Sequence, residues 1–245
     1  MLKTAIVTGA SRGIGTACAV ALAKSGYNVI LGYNTNKERA EELAKVIISG
    51  YGVSCEAVKC DVSEAEDAKN IVALAKSRYS SLDVLVNNAG ISQQKLFTDI
   101  TDEDWQKMIG VNLTGVFNMC REASKVMVSQ KSGNIVNISS MWGQVGASCE
   151  VHYSAAKAGV IGLTKALSKE LAPSNIRVNC ICPGVISTDM MKDFSEEDIA
   201  ALCEETPMGR LGSPKEIADA VSFMCSDRAT FITGQILGVN GGFII

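Results

Sequence analysis

The chain has 245 residues, of which 47% are hydrophobic and 20% are charged, and this fits one large α/β domain with a substantial core. Its net charge of −3, with acidic and basic residues interspersed, excludes the basic footprint that nucleic acid or an anionic membrane surface would require. Four prolines, no low-complexity tract and no fixed-period repeat leave no place for a linker between two domains.

Seven apolar, β-rich runs alternate with amphipathic stretches along the chain. The runs span 4–9, 28–33, 55–60, 83–90, 134–139, 176–182 and 235–240, and the helical patterns begin near 13, 36, 63, 101, 152 and 213. Because the runs are continuously apolar, we expect strands buried on both faces, and strand–helix alternation makes their sheet parallel. The sequence therefore predicts a single doubly wound, Rossmann-like α/β domain over residues 1–245 with about seven strands.

The N-terminus and the cysteines indicate the cellular compartment and the state of the thiols. The apolar run in MLKTAIVTGAS is too short for a signal peptide or a membrane span, so we expect a cytoplasmic protein. Nine cysteines occur without a Cys-x-x-Cys pair and with only one histidine. This pattern predicts buried, reduced thiols and no metal site.

The loop after the first strand reads Thr8-Gly-Ala-Ser-Arg-Gly-Ile-Gly15. In a doubly wound sheet, ligands bind beyond the carboxyl ends of the strands, and small residues there let a pyrophosphate approach the backbone and the helix N-terminus. A tight structural turn is the alternative for the loop taken alone. We expect the cofactor contacts of this loop to be Gly9, Ser11, Arg12, Gly13, Ile14 and Gly15.

The segment after the second strand distinguishes the two nicotinamide dinucleotides. NAD-binding proteins usually carry an acidic residue there for the ribose 2′-hydroxyl, but the chain reads Gly32-Tyr-Asn-Thr-Asn-Lys-Glu38. Polar groups of Tyr33, Asn34 and Thr35, together with Arg12, suit a 2′-phosphate, so NADP(H) is favoured. The alternative is that Arg12 and Lys37 are solvated surface charges.

The third and fourth runs end at the same predicted edge. Asp61 and Val62 follow the third run, and Asn88, Ala89 and Gly90 close the fourth. Asp61 could accept from the adenine amino group, and the small residues leave room for a ribose. A helix N-cap and an ordinary turn are the alternatives.

A tyrosine and a lysine lie one helical turn apart after the fifth run. Tyr153 and Lys157 share a helix face in HYSAAK, and Ser139 and Ser140 end the strand before them. A free phenol titrates near pH 10, so proton transfer at neutral pH requires nearby positive charge. Neighbouring His152 points about 100° away, which favours a pocket-rim or interface role for it.

The complete set of motifs resembles the short-chain dehydrogenase/reductase family over essentially all 245 residues. TGASRGIG, DV, NNAG, Asn112 in GVNLTG, Ser140 thirteen residues before the tyrosine, YSAAK, Pro183-Gly184, ITGQ and NGG stand in family order. The resemblance implies a cofactor half at about 1–90 and a catalytic and substrate half at about 91–245.

The resemblance also assigns roles to individual residues. Tyr153 would protonate the ketone oxygen, Lys157 would lower the phenol pKa and bind the nicotinamide ribose, Ser140 would hold the carbonyl, and Asn112 would support a water relay. The carboxamide end of the cofactor would contact Pro183, Gly184, Ile186 and Thr188. A lid from Asp189 to Glu205 would bring Met190, Met191 and Phe194 to an apolar pocket, although ordinary packing of a short helix explains them equally well.

The sequence is compatible with several classes of substrate. The overall likeness is to 3-oxoacyl-(acyl-carrier-protein) reductases of fatty acid synthesis, with Lys131 at one frequently basic position but Ser174 where arginine is frequent. The stretch SSMWGQVGASCEVHY resembles instead the elongation factor P 5-aminopentanone reductases. A broad carbonyl, sugar or steroid dehydrogenase and a non-enzymatic nucleotide sensor are further alternatives. Helices 101–129 and 152–172 carry many small and apolar residues. The resemblance implies that these helices form dimer faces and that the C-terminal strand adds a second contact, so we expect a homotetramer; burial of these residues within one subunit is the alternative.

Overall fold

A computed structural model of the chain describes residues 2–191 and 194–245, apart from the side chain of Met190. Its described strands form one seven-stranded sheet in the order β3-β2-β1-β4-β5-β6-β7, and every pairing is parallel. The strands are β1 Thr4–Thr8, β2 Asn28–Tyr33, β3 Cys55–Lys59, β4 Val84–Asn87, β5 Gly133–Ile138, β6 Ile176–Pro183 and β7 Ile236–Val239. The predicted fold class is confirmed, and the strand order reverses between β1 and β4.

The described helices connect these strands. They are α1 Gly13–Lys24, α2 Lys37–Tyr51, α3 Ala65–Tyr79, α4 Asp102–Ile109, α5 Gly115–Gln130, α6 Trp142–Val145, α7 Val151–Leu171, α8 Glu196–Glu205 and α9 Pro214–Cys225. One predicted amphipathic stretch, from 101 to 129, is divided by a π-helical turn at Gly110–Thr114. In the part of the chain that is described, no helix is long and apolar enough to cross a membrane.

The middle of strand β1 is continuously apolar because both faces of the sheet are covered there. In β1, Ala5 and Val7 pack into one core with Leu22 of α1 and Val221 of α9. Ile6 points the other way, into a second core that α3, α5 and α7 cover. All three β1 residues are completely buried. Alternate side chains of a strand point to opposite faces, so a strand covered on both faces favours consecutive apolar residues.

The nine cysteines are free thiols, as the sequence predicts. Six are buried and three, Cys55, Cys149 and Cys203, are partly exposed. Burial raises the pKa of Cys120 to about 12, so that thiol stays protonated at neutral pH.

Candidate active site

A cleft of about 840 Å³ opens at the carboxyl edge of the sheet, where the strand order reverses. Nearly all the predicted site residues line it: Gly9, Ser11, Arg12, Gly13, Ile14, Asn34, Thr35, Asp61, Val62, Asn88, Ala89, Gly90, Asn112, Ser140, Tyr153, Lys157, Pro183, Gly184, Ile186 and Thr188. Gly15 and Tyr33 do not line the cleft. Tyr33 is instead buried at the end of β2.

The glycine loop is packed too tightly for a side chain at Gly9 or Gly15. A Cβ on Gly15 would lie 2.2 Å from the carbonyl oxygen of Gly9, and a Cβ on Gly9 would lie 2.8 Å from Cα of Ala89. Gly9 and Gly13 also have φ angles of +63° and +54°, which favour glycine. Gly15 therefore acts behind the cleft wall, where it lets α1 approach the loop.

The N-terminus of α1 faces the cleft without a side-chain cap. Arg12 occupies the N-cap position in an extended conformation, and its side chain makes no capping bond. The first-turn N–H groups of Gly13, Ile14 and Gly15 are consequently available, and the helix dipole adds positive potential there. Because both features favour a bound pyrophosphate, the cleft fits a dinucleotide.

The ends of β2 and β3 are tied together by hydrogen bonds. Asn34 Nδ2 donates to Asp61 Oδ2 at 2.9 Å, and the Ser63 hydroxyl donates to Asp61 Oδ1 at 2.6 Å. The Ser63 bond is the main reason that the pKa of Asp61 lies below its ordinary value. Asp61 is not the N-cap of α3, which is Glu64. A carboxylate thus borders the cleft at β3, while β2 ends in amide and hydroxyl groups.

Asn88 joins the end of β4 to the glycine loop. Its Nδ2 donates to the carbonyl oxygens of Thr8 at 2.9 Å and Gly9 at 3.1 Å. The Thr8 hydroxyl accepts from the N–H groups of Asn88 and Ala89, both at 3.0 Å. These bonds hold the two strands that border the reversal point.

Asn112 lies within the π-helical turn and is completely buried. Its Oδ1 accepts from Ile91 N–H at 3.2 Å, and its Nδ2 donates to the carbonyl oxygens of Ile91 and Met108 at 3.0 and 3.1 Å. A Cβ on Gly90 would lie 2.7 Å from Asn112 Oδ1. Single π turns inside helices are frequent at functional sites, and this one brings Asn112 to the cleft.

Tyr153 and Lys157 lie side by side on α7. Lys157 Nζ is 5.7 Å from the centre of the Tyr153 ring and donates to the Ile138 carbonyl oxygen at 3.0 Å. Desolvation raises the pKa of Tyr153 to about 12 and lowers the pKa of Lys157 to about 8. Desolvation is the largest cause of both shifts. Without a bound cofactor, the pKa of Tyr153 is therefore raised, contrary to the expectation that Lys157 lowers it.

The two serines after β5 have different partners. Ser140 hydrogen-bonds Tyr153, which partly offsets the rise in the phenol pKa, and its Oγ accepts from Trp142 N–H at 3.2 Å. The Ser139 hydroxyl donates to the Lys157 carbonyl oxygen at 2.8 Å and fixes the backbone of α7. Of the two serines, only Ser140 contacts the phenol, in agreement with its position thirteen residues before Tyr153 in the family pattern.

His152 does not lie at the pocket rim or on an exposed face, so the expectation for it is wrong. The residue is completely buried, and its Nε2 lies 3.0 Å from Gln93 Oε1. Gln93 Nε2 in turn donates to Asp104 Oδ1 at 3.1 Å. Its packing under the loop after β4 explains the burial, which no pattern within the helix itself could reveal.

The sequence analysis missed several cleft residues. Gln94, Trp142, Glu150 and Leu202 line the cleft together with the expected Met191 and Phe194. The side chain of Met190 lies outside the described residues. Glu150 stands three positions before Tyr153, one helical turn away, and this spacing is the signal that could have identified it.

Comparisons with known proteins agree with this geometry. A family model described as "Enoyl-(Acyl carrier protein) reductase" matches residues 9–244. The uncharacterized oxidoreductase YmfI of Bacillus subtilis (strain 168) is 44% identical over 243 residues, which cover 99% of each chain. The 3-oxoacyl-(acyl-carrier-protein) reductase FabG of Staphylococcus aureus (strain N315) is 44% identical over 242 residues, covering 99% of this chain and 98% of that one. The FabG of Aquifex aeolicus (strain VF5) is 44% identical over 240 residues, covering 98% and 96%.

Proposed function

Because the chain belongs to the short-chain dehydrogenase/reductase family, we propose that it uses NADPH to reduce the ketone of a 3-oxoacyl group carried on acyl-carrier protein. It is an oxidoreductase of a family that acts on ketone and alcohol groups with a nicotinamide cofactor. The observation that carries the proposal is that Tyr153, Lys157, Ser140 and Asn112 line one cleft with the start of α1. The 3-oxoacyl substrate is supported by the two FabG relatives.

The cleft residues supply the acid chemistry of such a reduction. NADPH, when bound, supplies a hydride to the carbonyl carbon. Tyr153 donates a proton to the carbonyl oxygen, and a pKa of about 12 keeps its phenol protonated at neutral pH. Since the Ser140 hydroxyl bonds that phenol, both groups can reach the same oxygen. Lys157, whose carbonyl and Nζ are both anchored to the end of β5, holds a positive charge beside the reacting groups.

The proposed activity is tested by mixing the purified protein with NADPH and acetoacetyl-acyl-carrier protein and following NADPH absorbance. We expect stoichiometric NADPH oxidation and a 3-hydroxyacyl product. A protein that oxidises no NADPH with this substrate, with a free acetoacetyl thioester or with simple ketones would overturn the proposal. If only simple ketones are reduced, the proposed ketone reduction stands and acyl-carrier protein is excluded as the carrier of the substrate.

A second candidate substrate is a ketone carried on a lysine of elongation factor P. Ser174 favours it, because this residue of the turn after α7 brings no positive charge for an acidic carrier protein. Presenting both carriers in the same assay decides between them. Preference for the modified elongation factor over acetoacetyl-acyl-carrier protein would select the second candidate.

The dinucleotide preference depends on Arg12. This exposed side chain lines the cleft at the start of α1, where the 2′-phosphate of NADPH is expected. Arg12→Ala should raise KM for NADPH by roughly tenfold and change KM for NADH little, because only the phosphate pairs with the guanidinium. Lys37→Ala is the matched control, since Lys37 pairs with Glu41 at 3.6 Å. Equal effects of Arg12→Ala on the two cofactors would contradict the NADPH assignment.

The charge of Lys157 predicts a pH dependence. With a pKa of about 8, the ammonium is present below that pH and is lost above it. We therefore expect kcat/KM for NADPH to be flat below about pH 8 and then to fall about tenfold per pH unit. Lys157→Arg, which stays charged, should extend the plateau even if its maximum is lower. A wild-type profile that stays flat to pH 10 would contradict a role for this charge.

The homotetramer stays a prediction. Trp105 of α4 and Phe117 and Val128 of α5 are exposed by 42%, 44% and 36%. These side chains support the predicted dimer face along the two helices.

A further inference from the structure

Residues 91–95, the wall segment, follow β4 and form part of the cleft wall. Exposure alternates along the segment: Ser92 and Gln94 are exposed and line the cleft, whereas Gln93 and Lys95 are partly buried. This alternation is typical of an extended chain, in which neighbouring side chains point to opposite sides. The contacts of Gln93 and Lys95 therefore determine where Ser92 and Gln94 lie in the cleft.

The wall segment is attached to the start of α4 by one carboxylate. Gln93 Nε2 donates to Asp104 Oδ1 at 3.1 Å, and Lys95 Nζ donates to Asp104 Oδ2 at 2.6 Å. Asp104 also forms the capping box of α4 with Thr101. The Lys95 bond is the main reason that the pKa of Asp104 lies well below its ordinary value. This carboxylate therefore stays ionised and can only accept hydrogen bonds.

These bonds determine which nitrogen of His152 carries the proton. Because Asp104 only accepts, the nitrogen of Gln93 faces it, and the oxygen of Gln93 faces His152 Nε2 at 3.0 Å. That oxygen accepts, so Nε2 carries the proton and Nδ1 is the bare nitrogen of the neutral ring. Nδ1 is buried and has no hydrogen-bond partner among the residues that the structure describes. A second proton would therefore place a charged N–H where no described residue accepts it.

The charged neighbours of His152 shift its pKa in opposite directions. Asp104 raises the pKa of the imidazole and Lys95 lowers it, but desolvation is the largest cause, and the pKa lies below its ordinary value. On α7 itself the neighbouring titratable groups are Glu150 and Tyr153. The ring is consequently uncharged at neutral pH and gains its charge only as the pH falls through that lowered pKa. Protonation then favours conformations in which the ring reaches water, and the bond to the wall segment is lost.

We propose that His152 is a positioning residue whose neutral ring holds the wall segment, so that Ser92 and Gln94 are placed to contact the substrate. Acidification releases the wall segment and weakens binding of the ketone, while the dinucleotide contacts at the start of α1 stay in place. The kinetic part of this inference rests on the ketone reduction proposed above.

Two substitutions of His152 test the inference. His152→Gln keeps a side-chain N–H at about the reach of Nε2 but does not titrate, whereas His152→Leu removes the donor and leaves the Gln93 oxygen unpaired. At neutral pH, His152→Leu should raise KM for acetoacetyl-N-acetylcysteamine about five- to tenfold and change kcat and the Kd of NADPH little. His152→Gln should keep all three values. If His152→Leu has the wild-type KM, the assignment is overturned.

The pH dependence of KM separates positioning from a general loss of stability. The wild-type KM should rise as the pH falls below the ordinary histidine pKa of about 6.5, and the KM of His152→Gln should stay constant. Thr164→Val is the control, because it removes a different buried hydrogen bond of α7, which Asn137 Nδ2 donates to Thr164 Oγ1 at 2.9 Å. The control should keep the wild-type KM and its pH dependence. If His152→Gln shows the wild-type rise on acidification, another group causes it and the assignment is overturned.

Two further measurements need no activity. His152 is the only histidine, so the nitrogen NMR spectrum of the isotope-labelled, untagged protein reports its tautomer directly, and a proton on Nε2 is expected. Backbone hydrogen exchange of the wall segment should be faster in His152→Leu than in the wild type or in His152→Gln. Gln93→Leu removes the same bond from the other side and takes the place of His152→Leu if that variant does not fold.

The outcomes separate this inference from the proposed reaction. A proton on Nδ1, or equal exchange of the wall segment in the three proteins, would overturn the assignment of His152 whether or not a ketone is reduced. If the tautomer and the exchange rates are as expected but no ketone is reduced, the proposed reaction fails and the positioning of the wall segment by His152 stands.

Discussion

Tyr153→Phe is expected to lower kcat for ketone reduction by about 10³-fold and to leave NADPH binding nearly unchanged. The substitution removes one hydroxyl and keeps the ring that packs beside Lys157. The lost group is the one that Ser140 hydrogen-bonds and that would donate the proton to the substrate oxygen. The loss should therefore fall on kcat, since the interaction forms chiefly in the transition state.

Steady-state kcat and a fluorescence titration with NADPH measure the two effects separately. Tyr79→Phe is the matched control, because Tyr79 is a half-buried tyrosine at the end of α3, outside the cleft. It should keep both values. A Tyr153→Phe protein that binds NADPH and retains the parental kcat would eliminate the phenol as the acid.

Gly15→Ala should destabilise the fold by about 3 kcal/mol and abolish NADPH binding. Its new methyl group would meet the Gly9 carbonyl oxygen at 2.2 Å and Asn88 Nδ2 at 2.6 Å. The first contact is backbone, which cannot rotate away as a flexible side chain can. The loop and the start of α1 would have to separate, and these elements form the expected pyrophosphate site.

Urea denaturation and the NADPH titration quantify this change. The control is Gly50→Ala in α2, where a Cβ would meet no atom within 4 Å. Alanine is the better helix former, so this control should gain up to about 1 kcal/mol and bind NADPH normally. If the two alanine variants unfold at the same urea concentration and bind NADPH alike, the tight packing at Gly15 has no functional importance.

Much of the fold could be predicted because each strand carries its own signal. Both sides of the sheet are covered, so β1 is buried at every position and apolar at its three central ones, and it stands out without knowledge of its neighbours. The break between α4 and α5 could not be predicted in this way. Its π turn keeps helical spacing on either side, and only the packing of Asn112 against Ile91 and Met108 reveals it.

The site was predictable where short motifs set the backbone and less so where tertiary packing sets the side chain. The residues of the glycine loop and Tyr153 follow from motifs in family order. Tyr33 and His152 turn into the protein, and Glu150 turns into the cleft, because of contacts made with distant segments. The pKa of Tyr153 depends on desolvation, which helical spacing does not express.

The most direct test of the proposed acid is a difference-absorbance titration of the Tyr153 phenol, with Tyr153→Phe as the reference. In the free protein its pKa should lie near 12. Saturating NADP⁺, which brings a positively charged nicotinamide, should lower that pKa by about 1 to 3 pH units, the usual effect of a nearby opposite charge. A Tyr153 pKa that NADP⁺ leaves unchanged would contradict the claim that positive charge in this cleft prepares the phenol for proton transfer.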